Sequence, residues 1–262
     1  MDGRNEPVLL REDEGGVVRL TLNRPQARNA LSRGLMTALE EELARVREDR
    51  SARVVVLAGA GPAFCAGHDL RELRAEPGRE AYARLFAQCS RLMQAITALP
   101  QPVIARVHGV ATAAGCQLVA TCDLAVAADY ATFATPGVNI GLFCSTPMVA
   151  LSRNVGRKQA MEMLLLGEMV DAPTARRFGL VNRVVPAKHL DEEVDKIART
   201  IVGKSPLTLK IGKEAFYRQL DRPVAEAYVD AGRVMVENML ARDAEEGVDA
   251  FIQKRAPVWT GA

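Results

Sequence analysis

Two short runs of small residues mark places where the main chain itself can do chemistry: Ala66-Gly67-His68 and Ala113-Ala114-Gly115. Each follows an apolar, β-branched run of the kind that forms a buried strand, Val54 to Ala58 before the first and Val103 to Val107 before the second. Small side chains let a ligand approach the backbone closely. The opening amides of a helix have no partner inside it and carry the positive end of its dipole. If the two strands are neighbours, one N–H from each turn converges on a single oxygen, which is an oxyanion hole. Each such donor contributes about 3 kcal/mol of transition-state stabilisation. The same residues also suit close packing of a helix on a sheet, and spacing alone leaves both readings open.

Other local signals are weaker. GAGPAFCAGHDL (59–70) begins like a dinucleotide-binding glycine loop, but Phe64 stands where the third glycine belongs. The imidazole of His68 is a possible acid or base, against the reading in which only its N–H matters. Cys144 as a nucleophile needs a lowered pKa, and nothing in the sequence supplies one. Ser145 lacks a nucleophile-elbow context. His108 and His189 read as structural or surface histidines.

Strands alternating with helices must position these turns. Val17 to Leu22 reads as a strand after an acidic turn, Glu12 to Gly16. Leu35, Leu39, Leu43 and Val46 recur at helical spacing in a helix starting near Ser32. Arg79 to Leu99 is a long amphipathic helix, with Leu85, Phe86, Cys89 and Leu92 on its apolar face, stopped by Pro100 and Pro102. After the strand at Val103 to Val107 and a turn at His108-Gly109, a helix opens near Ala113, followed by a buried strand at Leu124 to Ala127. Residues 133–147 are rich in turns, 158–166 helical, and 173–186 a short helix running into a strand. Four helices then follow, over roughly 190–202, 206–219, 222–241 and 243–254. The pattern is α/β with a helical C-terminal appendage.

A chain of 262 residues buries a sizeable core without staples. With 34 basic against 32 acidic residues, nothing points to a nucleic-acid partner. Five cysteines (Cys65, Cys89, Cys116, Cys122, Cys144) show no paired-ligand spacing, so no metal site is expected and reduced thiols are. MDGRNEPVLL has neither a signal core nor a transit pattern, and no apolar run reaches spanning length. A soluble, cytoplasmic protein with no membrane partner is expected.

FCAGHDL, HGVATAAGCQLVATCDLAVAA, FATPGVNIGL and GLVNRVVP, in that order, resemble the crotonase (enoyl-CoA hydratase/isomerase) superfamily over nearly the whole chain. The resemblance implies a crotonase (ClpP-like) fold: a core of repeated ββα units over 1–202 and a helical oligomerisation region over 203–262 that makes a homotrimer or a dimer of trimers. It implies an acyl-CoA substrate, with coenzyme A as part of the substrate and no separate cofactor. The enolate-stabilising amides fall at His68 and Ala114. Candidate coenzyme A contacts are Ala27, Arg28, Ala66, Asp69, Leu70 and, from the tail, Lys254; Asp69 also suits a purely structural role. Asn139, Cys144, Ser145 and Thr146 fall in the loop that lines the acyl pocket. Hydratases of this family carry two glutamates, at positions occupied here by Gln117 and Gly137. An amide cannot ionise and glycine has no side chain, so standard hydration lacks both proton-transfer groups. Gln117 is left as a hydrogen-bonding group for a substrate carbonyl or a water. Three readings remain: enolate chemistry other than hydration (isomerisation, decarboxylation or hydrolysis), a non-catalytic acyl-CoA binder, and a hydratase using unusual groups such as His68.

Overall fold

The computed structural model describes residues 6–262. In chain order its elements are β1 (Leu9–Glu14), β2 (Val17–Leu22), α1 (Arg33–Glu48), β3 (Val54–Gly59), β4 (Ala63–Cys65), α2 (Leu70–Ala75), α3 (Arg79–Thr97), β5 (Val103–Val107), β6 (Val110–Thr112), α4 (Ala114–Thr121), β7 (Leu124–Ala128), β8 (Thr132–Ala134), α5 (Pro147–Asn154), α6 (Arg157–Leu166), β9 (Val170–Asp171), α7 (Ala172–Phe178), β10 (Arg183–Val185), α8 (Leu190–Val202), α9 (Pro206–Gln219), α10 (Val224–Met239) and α11 (Arg242–Gln253).

Two sheets organise them. The larger runs β1-β2-β3-β5-β7-β10, parallel except for the β1–β2 hairpin, and the smaller runs β4-β6-β8-β9. Three times a strand of the large sheet passes directly into one of the small sheet: β3 to β4, β5 to β6, and β7 to β8. That repetition is the expected ββα core. The central strands are buried on both faces, so they read as continuous apolar runs. On one face α1 contributes Leu35, Met36, Leu39 and Leu43, and α3 contributes Leu85, Leu92 and Ile96. On the other, Leu190, Val194 and Ala198 of α8 cover Val54, Val56, Ile104 and Val126.

Several short elements differ from expectation. The acidic stretch at 12–14 is the end of β1, not a turn; its charged side chains sit on the exposed outer strand and only Gly15-Gly16 turn. β4, β6 and β8 are three residues each, too short to show a period; the helix expected near Ala113 opens at Ala114. α2 and α5 lie mostly in stretches where the sequence pattern marks no element. Ser32 does cap α1, its hydroxyl accepting from the Leu35 amide at 3.1 Å.

α9 docks on this core through a polar knot. Lys213 donates to Asp123 at 2.6 Å and to the Ile96 and Gln101 carbonyls at 3.0 Å each. Tyr217 and the Val103 amide also donate to Asp123, at 2.8 and 2.7 Å. Much of the remaining apolar surface of α9 to α11 is exposed, including Val224, Tyr228, Leu240 and Phe251.

Candidate active site

β4 and β6 are parallel neighbours, Cys65 standing opposite Ala111, so the turns that follow them lie side by side. A Cβ placed on Gly67 would lie 2.8 Å from the Ala113 Cβ and 3.4 Å from the Ala114 nitrogen. Gly67 itself has φ +95°, a conformation open to glycine and costly for other residues. Behind it, a Cβ on Gly115 would stand 2.0 Å from the Cys65 carbonyl oxygen. Only glycine lets α4 start this close to β4.

The amides of His68 and Ala114 each lack a backbone acceptor. Leu31 brackets His68, donating to the Gly67 carbonyl at 2.7 Å and accepting from the Asp69 amide at 3.2 Å, which leaves the N–H between them free. The Ala113 amide is spent on Ala134 of β8 at 2.9 Å, and the first bond within α4 runs from Gln117 to Ala113. Ala114 therefore opens the helix with an unspent donor. Ala113 holds φ +50° and ψ −118°, a strained conformation for alanine that tips the peptide between β6 and α4. Nothing in the sequence signals it, because the residue is not glycine.

The His68 and Ala114 residues border a cavity of about 350 Å³. Leu70, Leu73 and Phe86 line one side, and Gly137, Leu142, Phe143, Cys144 and Thr146 another; Asn139 and Ser145 also reach it. The wall contains no Asp, Glu, Lys or Arg. Burial pushes the His68 imidazole down to about 4, so it is neutral at neutral pH. Burial raises the Cys144 thiol, opposed by a hydrogen bond from Gly137, so it is no activated nucleophile. Gly137 is crowded: a Cβ there would lie 2.4 Å from the Leu142 carbonyl and 2.9 Å from the Cys144 sulfur, so any side chain must displace the loop.

Other candidate residues stand off this wall. Gln117 is buried one turn into α4, its Oε1 facing the Cys89 thiol at 3.8 Å, and is absent from the cavity lining. Being on the helix that carries Ala114 does not aim its side chain at the same ligand. Asp69 caps α2 at the Arg71 amide and pairs with Arg24 at 2.9 Å. Burial raises its pKa, but the Arg24 and Arg71 donors outweigh that and hold it below the ordinary carboxylate range. That is the structural role, and Asp69 is not on the cavity wall. Ala27 and Arg28 close a turn beside Ala66, whose amide donates to the Arg28 carbonyl at 3.0 Å; the Arg28 side chain is exposed. Lys254 is exposed at the end of α11.

Sequence reading missed Asn29. It is fully buried, accepts from the Arg24 amide and donates to the Ala60 and Ala63 carbonyls, binding the 24–29 loop to β4. Phe86 was read as core; it is partly exposed and meets the His68 ring edge-on at 5.6 Å. His108 donates from Nε2 to the Gly61 carbonyl at 2.8 Å, and His189 pairs with Glu192 on the surface. The five cysteines are free and buried, no metal-ligand cluster occurs among the described residues, and no helix among them is long and apolar enough to cross a membrane.

A core of repeated ββα units, with paired turns whose His68 and Ala114 residues border one cavity, defines a crotonase-fold protein. The chain belongs to the enoyl-CoA hydratase/isomerase family, whose model matches residues 12–262. Enoyl-CoA hydratase domain-containing protein 3 of Xenopus laevis, named as mitochondrial, is 47% identical over 257 residues, covering 98% of this chain and 87% of the relative. The crystal structure of the human protein of that name has a TM-score of 0.94 and 46% identity, covering 96% of this chain and 100% of that one. A crystal structure of an enoyl-CoA hydratase from Mycobacterium smegmatis reaches a TM-score of 0.95 at 59% identity, covering 97% and 99%.

Proposed function

We propose that the protein binds acyl-CoA thioesters and stabilises a thioester enolate by chemistry other than β-hydration. The observation that carries this reading is the pair of unspent amides at His68 and Ala114 opening on a cavity that has no carboxylate in its wall. The amides hold the thioester oxygen as it gains charge. Hydration also needs one group to activate water and another to deliver a proton. Gln117 cannot ionise, and position 137 leaves no room for a carboxylate side chain. Coenzyme A enters as part of the substrate, running past Ala66 and Leu70 toward the 24–29 loop. Ala27, Arg28 and Lys254 are proposed contacts there, and Asp69 fixes the turn.

A second reading, a non-catalytic acyl-CoA binder, is favoured by one observation. The titratable side chains on the wall, His68 and Cys144, are both shifted away from neutrality in the direction that leaves them uncharged. A hydratase built on His68 fits least, since a base of pKa about 4 is poorly matched to work near neutral pH. Loss of the crotonyl-CoA enoyl absorbance tests the main claim: turnover at ordinary enzyme rates would overturn it. Solvent deuterium entering the α-carbon of butyryl-CoA separates enolate chemistry from simple binding.

We further propose that residues 203–262 form the subunit contact of a trimer or a dimer of trimers. The exposed Val224, Tyr228, Leu240 and Phe251 on α10 and α11 support it, because a monomer gains nothing by leaving such side chains in water. A monomeric mass by light scattering would refute it. Five free thiols suit a reducing compartment, and the cytoplasm is the proposed location, tested by cell fractionation against the mitochondrial naming of the vertebrate relatives.

A further inference from the structure

Where β3 and β5 begin, at the other end of the large sheet, a second cavity of about 390 Å³ opens between the end of α1, the turn at 100–102, the start of α9 and the tail at 260–261. It shares no residue with the candidate active site. Four cations stand on its wall, Arg47, Arg50, Arg53 and Lys210, and none of them forms an ion pair among the described residues. Arginines elsewhere around the core are matched: Arg19 with Asp195 at 3.1 Å, Arg24 with Asp69 at 2.9 Å, Arg106 with Asp191 at 2.6 Å. Asp49, the acid on this wall, is already spent. It accepts from the Ser51 amide and hydroxyl at 2.9 and 2.6 Å and from Arg11 at 3.2 Å. Asp243, behind the tail, is held by Ser205, Thr260 and Gly261. Two of the cations are fixed without being neutralised, Arg47 donating to the Ala98 carbonyl at 2.8 Å and Arg53 to the Lys204 carbonyl at 2.5 Å. Beside them Gln101 is only 9% exposed. Its Nε2 donates to the Val46 carbonyl at 2.8 Å, which fixes the amide and leaves Oε1 unpartnered on the same wall, as is Arg53 Nε.

We infer that this cavity is a binding site for a small organic phosphate, its anion among the four cations and its apolar body against Pro100, Pro102, Pro206 and Leu207. The volume is that of a small-molecule pocket. Four uncompensated cations around one concavity repel one another, and the concave wall focuses their potential on whatever enters. A phosphate monoester brings close to two negative charges and three acceptor oxygens, which guanidinium groups match with paired N–H donors. A carboxylate brings one charge and two oxygens, and leaves more of the wall unanswered. Inorganic phosphate would leave the prolines and Leu207 bare. The inference does not rest on the acyl-CoA reading, because the two cavities stand at opposite ends of β3 and β5 and one can fill without closing the other.

Calorimetric titration of the full-length protein in its native assembly tests this, with phenyl phosphate, inorganic phosphate and phenol as probes, each without and with butyryl-CoA. Wild type is expected to bind phenyl phosphate about tenfold more tightly than inorganic phosphate, since burial of the ring adds to the charge. Butyryl-CoA should leave that affinity unchanged. The Arg50 and Lys210 side chains are exposed, so Arg50→Glu/Lys210→Glu reverses charge on the wall without emptying the core. Its affinity for phenyl phosphate should fall about tenfold or more, and Arg50→Gln/Lys210→Gln should lose less. Failure of wild type to bind phenyl phosphate, equal affinity for inorganic phosphate or phenol, full affinity in the charge-reversed protein, or displacement by butyryl-CoA overturns the inference. A mass by light scattering that differs between wild type and the charge-reversed protein overturns it too, by assigning this wall to a contact between copies. Should the charge-reversed protein fail to fold, the glutamine pair and the wild-type titrations decide it.

Discussion

The two walls of the cavity are built on opposite principles. One is made of backbone: Gly67 packs against Ala113, Gly115 against the Cys65 carbonyl, and small side chains bring the main chain close to the cavity. The other, from Pro136 to Pro147, is made of side chains, and Ile140, Leu142 and Phe143 are 59%, 55% and 43% exposed. Under the proposed function, the first wall meets what every acyl-CoA has in common, the thioester oxygen. The second suits what differs between them, the acyl chain. A wall of backbone gains precision from tight packing and tolerates no added atom, whereas a wall of side chains can change with little effect on the fold.

The largest expected effect follows directly. Gly115→Ala puts a methyl 2.0 Å from a carbonyl fixed in the strand β4, and neither β4 nor α4 has room to withdraw. A loss of about 3 kcal/mol is expected, or roughly 10 °C in melting temperature, together with loss of acyl-CoA binding. A variant as stable as wild type would mean that the backbone wall is softer than its packing implies.

His68 joins the two walls, and its burial has a pH signature. Its folded pKa is about 4 against an ordinary 6.5. Between those values the unfolded chain binds more protons than the folded one, so stability rises with pH across the window and is complete above it. The change amounts to as much as about 3 kcal/mol. Denaturant titrations at pH 4.5 and pH 7 (about the edges of that window) should therefore give a smaller difference for His68→Phe than for wild type. Equal differences would place the wild-type ring in water.

On the side-chain wall the corresponding change is milder. The methyl of Gly137→Ala meets the Leu142 carbonyl at 2.4 Å, but that carbonyl belongs to the same exposed loop and can give way. A cost of about 1 kcal/mol is expected. For the same reason Gln117→Glu/Gly137→Glu should gain no crotonyl-CoA hydration: a glutamate at 137 must displace the loop, and one at 117 stays off the cavity wall. A double variant that gains turnover would show the second wall to be ready for the missing carboxylates.

Legibility in the sequence divides along the same line. Long periodic elements were readable, because a helix like α1 or a buried strand like β3 repeats its signal over many residues. The backbone wall was readable through its small residues, and β3 and β5, the strands before the two turns, are neighbours, which meets the condition set on that reading. Three-residue strands such as β4 and β6 carry no period at all. Side-chain aim was not readable either. Gln117 is three residues from Ala114 on one helix, but facing the Cys89 thiol is a property of α3 packing on α4, which no local pattern encodes. Asn29 was hidden because a polar residue in a polar loop looks solvated until its three partners are known.

The smallest effect tests the strain at the seam of the backbone wall. Ala113 sits at φ +50° and ψ −118°, where a Cβ costs about 1–3 kcal/mol and glycine pays nothing. Glycine in turn gives up about 0.5–1 kcal/mol to the entropy of the unfolded chain. Ala113→Gly should therefore stabilise the fold by about 1 kcal/mol, while Ala113→Val should destabilise it. Acyl-CoA affinity should move the other way in the glycine variant, because the alanine methyl packs beside Gly67 and holds the Ala114 amide in place. A glycine variant that gains stability and keeps full affinity would leave the strain without a function. One that gains stability and loses affinity would show that the molecule gives up folding energy at this peptide to keep its second amide aimed.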